Sequence, residues 1–294
     1  EVALQPCGWL AAYCGSALKS NERLFFRNLG GEAQLFEPVK RVKKAPIYYE
    51  NISSNTSIDM FNDYTTLTMR SKIISVSQAG GMIIQNFLME VLIGDKYIYK
   101  GKTNFGFFTA RSFASQTGIQ NCALMEYKLL NNRDNPDQPD LVKSETKDCY
   151  GMPSKALLMV DTIDIMLSDG GTYGKGFIKG SKNIDPQEWF FKAHFYQDPV
   201  CPGSLGVESF LQIVKFYALN VWKYDPDKYD LVMNPHSHKW SYRGQIVPSC
   251  RKVEIYAHIK NIVNNSSITA DGLLYADGLC IYHMEDFSME LVKR

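Results

Sequence analysis

The sequence has no uninterrupted apolar run of membrane-span length, no excess of either charge, no CxxC pair and only five histidines among 294 residues. Each shortage excludes something. A helix that crosses a bilayer needs about 20 apolar residues, and none of the runs approaches that. With 32 basic and 31 acidic residues the formal net charge is +1, which gives no electrostatic basis for binding nucleic acid or an anionic membrane. The seven cysteines (Cys7, Cys14, Cys122, Cys149, Cys201, Cys250 and Cys280) are odd in number and dispersed, as in a reduced, cytoplasmic protein. No secretory signal opens the sequence and its first residue is Glu1, so we expect a cytoplasmic segment of something longer. Asn51-Ile-Ser and Asn55-Thr-Ser match the glycosylation sequon and, without an export signal, are expected to go unused.

What is present is the composition of a folded globular protein, 45% hydrophobic and 21% charged. "VEIYAHIKNI" (253–262) alternates: Val253, Ile255, Ala257 and Ile259 face one side, Glu254, Tyr256, His258 and Lys260 the other. That period predicts a half-buried antiparallel strand. Two more strands follow over 266–291, with "ADG" (276–278) as their turn. Upstream, 202–222 predicts a helix entered through Pro202-Gly203, with Leu205, Phe210, Leu211, Val214, Ala218 and Leu219 at helical spacings. A helix followed by long antiparallel strands indicates an α+β domain whose sheet covers one buried helix.

The same order occurs earlier. Residues 1–18 read as an apolar helix in which Pro6 is tolerated only near the start, and 71–108 as long strands with "GDK" (94–96) at a turn. Glu1-x-x-x-Gln5 matches Glu208-x-x-x-Gln212, Gly30-Gly31-Glu32 matches Arg243-Gly244-Gln245, and "KYIYKG" matches "LCIYHM". The matches lie about 200 residues apart, so the chain is expected to hold two copies of one fold. The boundaries read as 1–128, a polar linker at 129–150, and 151–294. The first copy carries a polar excursion (43–64) and opens at its helix, lacking the strands that precede the helix in the second copy.

"MPSKALLMVDTIDIMLSDGGTYGKGFIKGSKNIDPQEWFFKAHFYQDPVCPGSLGVESFLQ" and the later "YRGQIVPSCRKVEIYAHIKNIV" resemble the hot-dog β-hydroxyacyl-ACP dehydratases of the β-hydroxydecanoyl type. The signature is a strand ending in His194-Phe195, then Asp-Pro-Val-x-Pro-Gly-x-Leu-Gly, then a carboxylate fourteen residues after the histidine. "EVALQPCGWLAAY" looks like the helix of the amino-terminal hot dog in dehydratase domains of polyunsaturated fatty-acid synthases, where two hot dogs in one chain replace a homodimer. The resemblance implies a double hot dog, each copy a long central helix wrapped by an antiparallel sheet, with the first copy incomplete at its N-terminus.

Eliminating water from a 3-hydroxyacyl thioester needs a base of near-neutral pKa, an acid for the departing oxygen and donors for the thioester oxygen. The resemblance implies that His194 is the base and that Gly203, at the helix start, offers its N–H to the thioester oxygen. In the family, histidine and carboxylate come from opposite hot dogs. His194 would then face Glu1, and Glu208 would lie in a vacant pseudo-site, or serve as an alternative acid. Phe195, Pro202, Ser204, Leu205, Gln5 and Gln212 are the expected substrate-binding residues.

The plainer readings stand beside these. A histidine flanked by aromatics is commonly a packed core residue, Glu208 can be a helix-surface carboxylate, and His236-x-His238 reads as a loop rather than a metal site. Cys201 invites a nucleophile reading but occupies an apolar position. The expected activity is dehydration to trans-2-enoyl thioesters in fatty-acid or polyunsaturated fatty-acid biosynthesis. The substrate would ride on the phosphopantetheine of an acyl carrier protein, with no metal or redox cofactor. Expected partners are the carrier protein and other synthase domains, not nucleic acid or membrane; the chain is expected to form an intrachain pseudo-dimer, and further dimerisation is left open. Alternatives are a hot-dog thioesterase, which would release free acid, and a non-catalytic hot-dog module that shapes the synthase.

Overall fold

The computed structural model describes residues 1–38, 66–120, 122, 141–147, 149 and 151–294. The expected excursion at 43–64 lies outside the described residues. Helix α1 (Gln5–Tyr13) opens the fold and runs into a 3-10 turn (Ser16–Lys19). Strands β1 (Leu24–Leu35), β2 (Thr68–Ala79), β3 (Met82–Ile93) and β4 (Lys96–Thr109) follow, then the short helix α2 (Ala110–Ala114). Strand β5 (Leu141–Glu145), β6 (Thr162–Leu167), β7 (Phe177–Asn183), helix α3 (Trp189–Ala193) and the long helix α4 (Gly203–Trp222) come next. The chain ends in β8 (Tyr229–Met233), β9 (Ser237–Tyr242), β10 (Lys252–Val263), β11 (Ser267–Ala276) and β12 (Leu279–Lys293).

Among the described residues all the strands join one 12-stranded sheet in the order β2-β3-β4-β1-β9-β12-β11-β10-β7-β6-β5, with β8 paired to β12 outside that path. The order is palindromic about the β1–β9 junction. Strand β1 corresponds to β9, β4 to β12, β3 to β11 and β2 to β10, so the internal repeat is a structural one. "KYIYKG" opens β4 and "LCIYHM" opens β12, as the sequence match requires. The halves meet through antiparallel pairing of Gly30–Gln34 with Ser237–Ser241. This is the double hot dog.

The turns follow from their residues. Gly80 and Gly81 link β2 to β3 at φ +58° and +76°, and Asp277 and Gly278 link β11 to β12 at +47° and +84°. Both turns use two successive left-handed residues, the geometry that closes a two-residue hairpin without opposing the strand twist. Helix α4 buries Phe210, Ile213, Val214, Tyr217 and Ala218 against the concave side of the second half. Inward-facing Val253, Ile255, Ala257 and Ile259 of β10 are 0–4% exposed and close that core.

Several expectations need correction. The other face of β10 is covered at its centre: Glu254 and Lys260 stay partly exposed, but Tyr256 and His258 are buried, and Tyr256 packs with Phe177, Leu273, Tyr275 and Cys280 beneath Cys122 and Ile119. A pattern of period two cannot reveal a cover supplied by a segment far away in sequence. The segment expected to be linker contributes β5, which pairs antiparallel with β6. The strand expected to end in His-Phe is instead the single-turn helix α3, with His194 as its extended C-cap. His238 lies in β9 rather than in a loop. Helix α1 is nine residues rather than long; it buries Cys7 and Ala11 and leaves Trp9 and Tyr13 66% and 76% exposed. No helix among the described residues is long and apolar enough to cross a membrane.

Candidate active site

A cavity of about 820 Å³ opens where α1, β1 and β4 of the first half meet α4, β9 and β12 of the second. Its walls include Glu1, Gln5, His194, Phe195, Pro202, Gly203 and Ser204 of the expected residues. The apolar part of its lining includes Val91, Ile98, Phe105, Met233, Leu274 and Met284. Long apolar walls with a few convergent polar groups are what an acyl chain ending in a reactive thioester requires.

His194 is half-buried and tightly bounded. Its backbone N–H donates to the Phe190 carbonyl at 2.9 Å, and its carbonyl accepts the Val200 N–H at 2.8 Å. The ring stacks on Phe195 with centroids 3.8 Å apart. Nδ1 lies 2.9 Å from the Val200 carbonyl oxygen. A carbonyl only accepts, so in the neutral ring Nδ1 carries the proton and Nε2 keeps its lone pair. The imidazole is thus prepared as a base, with its tautomer set by the loop it belongs to.

Helix α4 begins at the wall of the same cavity. Pro202 is its N-cap and Gly203 its first residue, so the Gly203 N–H has no acceptor within the helix. Free amides at a helix start favour developing negative charge. Tyr242 on β9 seals this end: its Oη donates to the Gly203 carbonyl at 2.7 Å, and its ring stacks on Tyr282 at 3.9 Å. A Cβ at position 203 would lie 2.5 Å from Tyr242 Oη, so a side chain is excluded there. Burial pushes the Tyr242 hydroxyl well above its usual pKa of 10, so it is a donor and not an anion.

Glu1 is exposed and lines the same cavity as His194. Its carbonyl accepts the N–H groups of Leu4 and Gln5 at 2.8 and 3.2 Å, which ties it to the start of α1. Glu208 is not among the lining residues; its Oε1 accepts from Gln212 Nε2 at 2.8 Å. Gln212, expected to bind substrate, is 2% exposed and bolts α4 to the 157–159 segment. Its Oε1 accepts the Met159 N–H at 2.9 Å and its Nε2 donates to the Leu157 carbonyl at 2.7 Å. Leu205 also misses the cavity and packs toward Met159, Phe190 and Phe191. Cys201 reaches the wall, but burial raises its thiol to about 12, which leaves no thiolate for nucleophilic chemistry.

Other lining residues escaped the sequence reading. Arg27, Tyr99, His238, Trp240, Tyr242, Gln245 and Tyr282 all reach the cavity. Tyr99 Oη and His238 Nε2 lie 2.9 Å apart, and burial lowers His238 to about 4, so it stays neutral. Gln245 belongs to the Arg243-Gly244-Gln245 match, and Tyr99 and Tyr282 hold equivalent positions in the "KYIYKG"/"LCIYHM" match, so the repeat was the signal that could have pointed to this wall. No cluster of three or more metal-ligating side chains occurs among the described residues.

The palindromic sheet, the buried central helix and a cavity at the junction define a hot-dog protein. Residues 152–285 match the family model described as FabA-like domain. The chain is also 29% identical over 273 residues to one of the subunits of the polyunsaturated fatty acid synthase of Thraustochytrium sp.. That alignment covers 85% of this chain and 18% of the relative, so the chain spans less than a fifth of the curated protein it matches. The chain is a hot-dog protein similar to a FabA-like domain over its second half and to that synthase subunit over most of its length.

Among solved structures, the dehydratase domain from the CurJ module of curacin polyketide synthase is similar at a TM-score of 0.47 and 10% identity, covering 99% of this chain and 83% of that one. An acyl-CoA thioesterase II from Mycobacterium marinum is similar at 0.46 and 7%, covering 96% and 86%. Shape at this level does not choose between the two chemistries, and the choice rests on side chains.

Proposed function

We propose that the chain dehydrates 3-hydroxyacyl thioesters, carried on an acyl carrier protein, to trans-2-enoyl thioesters in polyunsaturated fatty-acid biosynthesis. The observation that carries this reading is the placement of His194, Nδ1 held by the Val200 carbonyl, in one cavity with the free start of α4. His194 Nε2 takes the proton from C2 of the substrate. The electron pair left behind is delocalised onto the thioester oxygen, which the Gly203 N–H and the helix start stabilise. As the enolate collapses, the C2–C3 double bond forms and the C3–O bond breaks. Glu1 delivers a proton to the leaving oxygen, so that water departs. A thioesterase would instead need water delivered to the carbonyl carbon, and a base beside C2 serves that reaction poorly.

Elimination of this kind calls for no metal or redox cofactor. The reading places the protein in the cytoplasm with a carrier protein and other synthase domains as partners, its two halves acting as an intrachain pseudo-dimer. The test is turnover of a 3-hydroxyacyl pantetheine thioester by wild-type, His194→Ala and Glu1→Gln proteins. We expect enoyl product from the wild type and a loss of about 10²-fold or more in His194→Ala, the usual contribution of a general base. Full turnover by His194→Ala, or free acid as the main wild-type product, overturns the proposal.

A further inference from the structure

We propose that Arg27, from the opposite half of the molecule, is a positioning residue that holds the His194 loop in its working shape through Asp198. This rests on the dehydratase reading, since it is as the base that His194 needs a fixed place. The loop 194–200 is closed at its base by the two His194–Val200 bonds described above. It is turned at its tip by Phe195 N–H to Asp198 carbonyl at 3.0 Å and Asp198 N–H to Phe195 carbonyl at 3.2 Å. Its tip offers little apolar anchorage, since Phe195 and Tyr196 are 41% and 91% exposed. Main-chain bonds within a solvated loop do not fix where that loop sits on the body of the protein.

Asp198 supplies the missing anchor. Arg27 Nη1 and Nη2 donate to its two oxygens at 2.6 and 2.7 Å, a fork-to-fork contact in which the side chains are 10% and 18% exposed. The guanidinium is itself fixed from three other sides. Its Nε donates to Gln245 Oε1 at 2.9 Å, Nη1 donates to the Phe26 carbonyl at 2.9 Å, and Cζ lies 5.2 Å over the Phe113 ring. Arg23 adds a bond from Nη2 to the Gln197 carbonyl at 2.7 Å. A planar guanidinium with this many directed bonds fixes orientation as well as distance, which a lysine at the same place cannot do.

The pair joins β1 of the first half to the catalytic loop of the second. Arg27 also reaches the cavity wall, and Asp198 neutralises it there. The first half thereby contributes to the base as well as to the acid. Removing the fork leaves the loop closed but loosely seated, and His194 loses its aim at the substrate C2. A misplacement of about 1 Å from a distant change can cost on the order of 10²-fold in rate.

The experiment compares wild type, Arg27→Lys, Arg27→Met and Asp198→Asn by steady-state kinetics, thermal melting and amide hydrogen exchange. Arg27→Met should lower kcat by about tenfold to hundredfold with KM within about threefold, the pattern of an interaction realised in the transition state. Arg27→Lys should recover only part of the loss. Exchange at Phe195, Asp198 and Val200 should accelerate in Arg27→Met and Asp198→Asn while the amides of β10 and β11 keep their protection. Unchanged kcat in both variants, or unchanged exchange in the loop, overturns the inference. So does a loss of kcat that merely tracks a global fall in melting temperature, which would make the pair a stability device. Exchange is read without turnover, so an inert wild-type protein would sink the dehydratase reading while the loop measurement still decides this one.

Discussion

Gly203→Ala is the substitution whose outcome the geometry constrains most closely. The new methyl would stand 2.5 Å from Tyr242 Oη, 2.9 Å from Cζ and 3.1 Å from Cε2. Tyr242 has little room to retreat, because its ring lies 3.9 Å from that of Tyr282, which is 2% exposed. Either the tyrosine or the first turn of α4 must shift, and the Tyr242–Gly203 hydrogen bond is lost in both cases. Overpacking of this kind costs about 1–3 kcal/mol of stability. The catalytic cost is the larger one. If the Gly203 N–H moves off the thioester oxygen, removing one such donor costs about 10²–10³ in kcat, roughly 2.7–4 kcal/mol of transition-state stabilisation. The assay is formation of enoyl thioester from a 3-hydroxyacyl pantetheine thioester, with melting temperature measured in parallel. Tyr242→Phe added to Gly203→Ala removes the 2.5 Å contact and leaves the 2.9 Å one, so part of the lost kcat should return. A Gly203→Ala protein with kcat within about threefold of wild type and an unchanged melting temperature would refute the assignment of the α4 start as the oxyanion site.

Two further outcomes follow from buried groups away from the chemistry. Gln212→Leu should leave KM unchanged and destabilise the fold by about 1–3 kcal/mol in a urea titration, since the Met159 N–H and Leu157 carbonyl lose their partner. His258 is held neutral, its pKa lowered to about 4 first by burial and further by His283, against the opposing pull of Asp271. The unfolded chain protonates this side chain near 6.5, so the stabilisation is complete above that pH and lost as pH falls toward 4, by up to about 3 kcal/mol. Melts between pH 7 and pH 4 should show that slope, with the similarly shifted His238 adding its own. His258→Gln should flatten the His258 part, and an unaltered slope in that variant would refute the linkage.

Local pattern made much of this legible. The aliphatic alternation of β10, the Asp277-Gly278 turn and the Pro202-Gly203 helix entry are properties of short stretches, so the strands, hairpins and α4 could be read directly. The repeat was legible too, because Glu1–Gln5 and Glu208–Gln212 keep the same spacing in both halves. Several of the errors share one cause. Gln212 has the residue type and spacing of a binding residue, and only the fold shows its amide spent on the Leu157 and Met159 backbone. Tyr256 and His258 alternate like solvent-facing residues, yet Ile119 and Cys122 pack over the first, and Thr172 and Phe177 contact the second. Arg27 carries no motif, and its partner Asp198 lies 171 positions away.

The sequence alone determined the class of fold, its duplication and the short segment that bears His194 and Gly203, because each depends on residues close together in the chain. The tertiary structure decided which groups share a cavity. It brought Glu1 to the wall with His194, left Glu208 outside, and set Arg27 against the loop between them. Those relations depend on pairing β1 with β9, a contact between halves that no local pattern encodes.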